Sequence, residues 1–244
     1  ILVFWLAHSA RADTECGSAK LVVHPTSSWQ FNSYADHGTG ARMDLGMWRP
    51  SAQWSPHLLY YAGDGCMPNY DNPDYSTFLM SIGSDSQAVQ LPTGMAFDWN
   101  DHCTGGDTDG GFYTPTCPDG YVALGSAGEQ DISDSDHNPP ATHWPGLACV
   151  RQNYTLQQTF SSSCWADHGS GGCFDGSVFS GIEFIPPQGG QPIRGPCVGT
   201  AGYPDSVQGY VLNRALMCTC PCDGDIGIMS GESLRLDGRT RVMV

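Results

Sequence analysis

The chain has 244 residues, 40% of them hydrophobic, which is enough to fill a core and excludes a disordered chain. Its 25 acidic residues outnumber 10 basic ones for a net charge of −15, with Lys20 the single lysine. Such a surface repels phosphate backbones and anionic membranes, which argues against nucleic acid and against charge-driven lipid docking. Divalent cations, cationic partners and neutral sugars stay open as ligands. With 31 glycines and 17 prolines, the composition favours strands joined by turns over long helices.

Taken from the start, residues 1–12 (ILVFWLAHSARA) form a short apolar run ending in Ala10-Arg11-Ala12. One reading is the apolar core and small-residue cleavage site of a secretory leader. The other is a β-prone strand donated to a groove in a neighbouring subunit. The run is too short to span a bilayer, so no transmembrane segment is expected.

The next stretch carries the strongest signal, an internal repeat. Three segments align without a gap: YADHGTGARMDLGMW from Tyr34, WNDHCTGGDTDGGFY from Trp99 and WADHGSGGCFDGSVF from Trp165. Asp36, Asp101 and Asp167 are 65 and 66 residues apart. Weaker echoes follow within each unit. Leu79-Met80-Ser81, Leu147-Ala148-Cys149 and Leu216-Met217-Cys218 are expected to close the units, and Gly120–Gly125 is matched with Gly209–Leu212. The expected organisation is a single domain over residues 13–222, with repeats at about 29–95, 96–160 and 161–222 and a C-terminal tail at 223–244.

Within the motif, the flanking aromatics are candidate core anchors, and Asp-His-Gly-(Ser/Thr)-Gly is turn chemistry that needs positive φ at glycine. The second acidic residue, Asp44, Asp109 or Asp175, is expected to accept backbone N–H groups across the loop and hold it closed. Three such hairpins suggest pseudo-threefold symmetry, with each unit burying a face that it cannot bury alone.

Eleven cysteines (Cys16, Cys66, Cys103, Cys117, Cys149, Cys164, Cys173, Cys197, Cys218, Cys220 and Cys222) predict a disulfide framework with at least one thiol left over. Zinc is not expected, because the alternate spacing of Cys218, Cys220 and Cys222 fits poorly around one tetrahedral ion. The sequon at Asn153-Tyr154-Thr155 is a glycosylation acceptor and agrees with a secreted, extracellular protein.

The stretches DHGTGARMDLGMWRP (Asp36 to Pro50), PDGYVALG (Pro118 to Gly125) and Cys149-Val150-Arg151 resemble the vacuolar protein sorting-associated protein 62 family. More loosely, they are similar to related β-prism repeats of membrane-associated and toxin-appended modules. His37, His102 and His168 stand where that family often has arginine, and Trp-Arg-Pro occurs here once. The resemblance implies an all-β, β-prism-like fold: three antiparallel sheets about a pseudo-threefold axis.

For function, an Asp beside a His in a strand or turn is not a dyad, and no nucleophile elbow, zinc-helix motif or phosphate loop is present. A motif made three times also suits symmetry better than one catalytic centre, so no enzyme is expected. One reading makes the loops ligand sites: Asp36, His37, Asp44, Asp101, His102, Asp109, Asp167, His168 and Asp175 offer the groups that hold sugar hydroxyls beside an aromatic ring. The plainer reading has the same residues locking hairpins. Asp107 and Asp109 in GGDTDGG hint at calcium without an EF-hand spacing, and no other cofactor is expected. The expected activity is lectin-like glycan or surface binding. The alternative is a protomer of an extracellular filament or coat, self-associating through the N-terminal strand.

Overall fold

The structure is a computed structural model that describes residues 19–51, 59–107, 109–130, 139–186, 189–219, 235–236 and 240–241. The expected all-β class is found: apart from single 3-10 turns at Ala141–His143, Gln152–Tyr154 and Arg214–Leu216, all regular structure among the described residues is strand.

Each unit is entered by a lead-in strand. The first comprises β1 (Leu21–Thr26), β2 (Trp29–Ala35), β3 (Gly46–Pro50), β4 (Tyr60–Tyr61), β5 (Gly65–Met67) and β6 (Thr77–Ile82). The second comprises β7 (Val89–Gln90), β8 (Gly94–Asn100), β9 (Gly110–Thr116), β10 (Tyr121–Val122), β11 (Ala127–Gln130) and β12 (Cys149–Arg151). The third comprises β13 (Thr155–Phe160), β14 (Ser163–Ala166), β15 (Gly176–Phe179), β16 (Glu183–Phe184), β17 (Ile193–Arg194), β18 (Val198–Ala201) and β19 (Val207–Leu212). After these come β20 (Met217–Thr219) and a two-stranded hairpin, β21 (Arg235–Leu236) with β22 (Thr240–Arg241).

The pairing repeats with the sequence. Every motif hairpin is the start of a three-stranded antiparallel sheet, β2-β3-β5, β8-β9-β11 and β14-β15-β18. The lead-in strand of every unit then pairs antiparallel with that unit's last strand: β1 with β6, β7 with β12 and β13 with β19. The chain thus returns to its starting edge once per unit, so lead-in and closing strands need each other.

Two expected equivalences change. Gly120–Gly125 runs through β10 into Ser126, whereas Gly209–Leu212 lies in β19, well after the position that matches Ser126. Leu216-Met217-Cys218 does not close the third unit either: β19 does that, and β20 continues past it to lie parallel to β1. Three-residue apolar echoes are too short to fix which strand is which, since any half-buried strand satisfies them.

The units are tied at their centre by a closed ring of backbone hydrogen bonds. Asp64 donates its N–H to Ser126 O (2.9 Å), Ser126 to Cys197 O (2.8 Å) and Cys197 to Asp64 O (2.9 Å). Beside the ring, the Arg49 guanidinium lies against Asp64 with Nε 3.3 Å from Oδ1, and donates to Gly128 O over 2.7 Å. Both residues of this ion pair are buried. The Asp64 carboxylate also accepts from Ser33 Oγ (2.6 Å) and Gly128 N (2.9 Å), which compensates its loss of water.

Above the ring sits an aromatic core of Tyr34, Trp99, Phe112 and Trp165, with Trp99 and Trp165 edge-to-face at 5.0 Å. Gly176 is required there, because a Cβ would come within 2.6 Å of the Trp99 ring. A second cluster containing Leu21, Val23, Phe78, Met80 and Val150 fills the space under the lead-in sheets. No helix among the described residues is long and apolar enough to cross a membrane. The apolar segment at 1–12 lies outside the described residues, as do Cys16, Cys220, Cys222 and most of the tail.

Candidate functional site

The motif loops cluster because each first carboxylate organises two units. Within its own hairpin, Asp36 donates its backbone N–H to Leu45 O (3.2 Å) and takes the Leu45 N–H on Oδ1 (2.8 Å). Asp101 does the same with Gly110 (3.0 Å) and Asp167 with Gly176 (3.3 Å). The loop is therefore closed by the first aspartate, not by Asp44, Asp109 or Asp175 as expected, because only the first is buried beside the strand ends. Between units, the other carboxylate oxygen takes the leading aromatic of a neighbour. Tyr34 donates to Asp101 (3.5 Å), Trp99 to Asp167 (2.9 Å) and Trp165 to Asp36 (2.7 Å).

A second cycle runs through the backbone at the loop tips. His37 O accepts from Asp107 N (2.9 Å), His102 O from Cys173 N (3.0 Å) and His168 O from Arg42 N (3.0 Å). All three pairs fall at matching motif positions, so the three hairpins lie together at one end of the molecule. Asp36, Asp101 and Asp167 are 3%, 5% and 2% exposed, so these three candidates hold the fold instead of facing a ligand. Burial raises the Asp36 carboxyl above the usual carboxylate range, with the Leu45, Trp165 and Tyr70 donors opposing the rise.

The candidate residues left facing solvent are His37, Asp44, His102, Asp109, His168 and Asp175. In the first unit, the His37 ring stacks on Tyr70 at 3.6 Å, and the Tyr70 hydroxyl lies 2.9 Å from Asp36 Oδ1 and 3.2 Å from Asp44 Oδ1. In the third unit, His168 stacks on Tyr203 at 3.9 Å, and the Tyr203 hydroxyl bonds Asp167 and, over 3.1 Å, Asp175 Oδ1. The same four-residue group is thus built twice. Desolvation and then the aspartates raise both phenols, which remain neutral donors at physiological pH. Tyr70 and Tyr203 are not evident in the sequence because they fall 34 and 36 residues after their aspartates, in loops of dissimilar composition. In the second unit, residues 131–138 of the corresponding loop lie outside the described residues.

Asp107 uses its backbone to join the first and second loops, and neither it nor Asp109 belongs to a group of three metal-ligating side chains among the described residues. The one such group is His102, Cys103 and Cys173. Among the described residues the cysteines form Cys66–Cys197, Cys103–Cys173 and Cys117–Cys149 disulfides, the first two joining the third unit to the first and second. Cys164 is a buried free thiol with Sγ 2.9 Å from Cys66 Sγ, and burial pushes it up to about 12. Cys218 lies in β20, and Asn153 is exposed on a 3-10 turn.

Disulfide-stapled antiparallel sheets with a cyclically joined set of loops define the class of protein. Neither a protein-family model nor a curated protein sequence matches the chain. Among solved structures it is similar to GNIP1Aa from Chromobacterium piscinae, with a TM-score of 0.66 and 18% identity. The match covers 83% of this chain and 39% of that one, so this chain spans less than half the length of GNIP1Aa. At this identity the likeness concerns the fold.

Proposed function

We propose that the chain is a non-catalytic, secreted binding module that holds glycans at the cell exterior through its motif loops. The observation that carries this reading is the duplicated group His37–Tyr70–Asp44 and His168–Tyr203–Asp175 at one end of the molecule. Each offers an exposed imidazole, a partly open aromatic ring and a carboxylate with spare acceptor capacity, the combination that grips the polar edge and apolar face of a pyranose. Two copies on one face add avidity for a branched or clustered glycan. The resemblance of Asp36 to Pro50 to the vacuolar protein sorting-associated protein 62 family and the three disulfides support a prism-like extracellular module.

The test is a glycan array probed with and without calcium, using the natural protein and the His37→Ala/His168→Ala double variant. Selective binding that falls at least about ten-fold in the variant is expected, and no binding at high protein concentration overturns the reading.

A second reading, self-association into a filament or coat by strand donation, is favoured by an open cleft of about 340 Å³. It is lined by Tyr121–Gly125 and Gln208–Tyr210, from β10 and β19, each an outer strand with one partner among the described strands. Concentration-dependent oligomers by light scattering, lost on deletion of residues 1–12, are its signature.

A further inference from the structure

The three contacts between neighbouring motif loops use the same pair of positions and fill it differently. Where the first loop meets the second, Gly38 faces Asp107, whose Oδ1 a Cβ would approach to 2.8 Å. Where the third meets the first, Gly169 faces the Arg42 side chain, with Cγ 3.4 Å from a would-be Cβ. Where the second meets the third, Cys103 faces Cys173 and the two are bonded. Cys103 is also the one non-glycine residue at positive φ (68°) among the described residues, in the place of Gly38 and Gly169. A side chain has been accepted in a strained conformation there, and it points at a second thiol with His102 alongside.

We propose that this junction is a redox-gated site for a thiophilic divalent cation of the zinc type, held by His102, Cys103 and Cys173 once the disulfide is opened. The His102 ring already lies within 4.8 Å of both sulfurs, and the sulfurs, bonded to each other in the oxidised protein, need only part to about 3.7 Å to take two corners of a tetrahedral ion with bonds of about 2.3 Å. Three protein ligands leave the fourth position to water, and the chain's net charge of −15 draws cations to the surface.

The chemistry balances as two steps. A dithiol reductant gives two electrons and two protons to the Cys103–Cys173 bond, yielding two protein thiols and the oxidised cyclic dithiol. The cation then binds both sulfurs and the imidazole, releasing two protons to solvent. Selectivity follows from exposure. Cys103 and Cys173 are exposed, whereas Cys66, Cys197 and Cys149 are buried and Cys117 is half-buried, so among the disulfides of the described residues a dithiol in solution reaches this bond first. In the oxidised protein a covalent bond ties the second and third loops, and in the reduced protein the cation restores that tie at the same place.

The experiment treats the folded full chain with limiting dithiothreitol, maps the opened bond by alkylation and mass spectrometry, and titrates Co²⁺ as a spectroscopic probe. The expected result is first opening of Cys103–Cys173, followed by one equivalent of Co²⁺ with tetrahedral thiolate-to-metal bands. Zn²⁺ displaces the probe. Cys103→Ser abolishes the bands, and His102→Asn weakens binding at least about ten-fold while leaving the far-UV spectrum of the protein unchanged. Cys66–Cys197 or Cys117–Cys149 opening before Cys103–Cys173, or Co²⁺ binding that persists unchanged in Cys103→Ser, overturns the proposal. Both outcomes are independent of whether the loops bind glycans.

Discussion

The Trp165 indole donates to Asp36 Oδ2 over 2.7 Å across 129 residues of sequence, joining the third unit to the first. With Tyr34 on Asp101 and Trp99 on Asp167, it completes a cycle in which every unit holds one neighbour and is held by the other. Trp165→Phe keeps the ring packing and deletes this donor, leaving a buried carboxylate oxygen short of a partner. A loss of about 1–3 kcal/mol in urea unfolding is expected. Burial already raises the Asp36 carboxyl, so its stabilising contribution is present at low pH and is lost as pH rises through the folded value. The variant loses stability more steeply over that window, and a parallel shift at all pH values contradicts the role assigned to the indole.

Removing the Arg49 charge strands the Asp64 carboxylate beside the central ring. Arg49→Met should cost about 3–5 kcal/mol, most of which returns in Arg49→Met/Asp64→Asn, as calorimetry of the two variants will show. Equal losses in single and double variants would mean that packing of the Arg49 stem, not its charge, matters.

Asp98 lies half-buried on β8 and accepts from Thr114 Oγ1 (2.7 Å) and Ser126 Oγ (3.2 Å), yet burial outweighs both donors and pushes its carboxyl up to about 7. An acid raised on folding binds its proton more tightly in the folded state. Its favourable contribution is therefore whole below the ordinary carboxylate range and disappears as pH climbs to about 7. Asp98→Asn should flatten the decline in stability between acid and neutral pH by about 2–4 kcal/mol, measured as the difference between pH profiles of the two proteins. Superimposable profiles exclude this assignment.

Cys164 is buried, and its thiolate is suppressed by a value of about 12. Alkylation at neutral pH should be at least about a hundred-fold slower in the native protein than in denaturant. Rapid labelling of Cys164 without unfolding would show that the sulfur cluster at Cys66 and Cys197 is open to solvent.

The repeat made the all-β class and the clustering of loops legible, since the ungapped Asp-His-Gly-(Ser/Thr)-Gly pattern determines three hairpins without help from tertiary contacts. The roles inside the motif were only half legible. Turn chemistry marks both aspartates alike, and the difference between Asp36 and Asp44 is burial against a neighbour's indole, which depends on residues far away in sequence. Tyr70 and Tyr203 were hidden because their loops vary in length and composition. The Asp64–Ser126–Cys197 ring was hidden for a different reason: its bonds are all main chain, so three unlike side chains occupy equivalent places.

The parallel contact of β20 with β1 brings the strand that follows the third unit beside the first strand of the first unit. The fold is thus a closed loop whose starting point is arbitrary. A gene rearranged to join residue 219 to residue 20 through a linker long enough to run back along β20, and to begin near Leu91, a 59% exposed residue between β7 and β8, would keep the pairings of β1 to β20 while changing the order of synthesis. Excising one unit has the opposite effect, since two units cannot close any of the three cycles, so the molecule tolerates being recut but not being shortened.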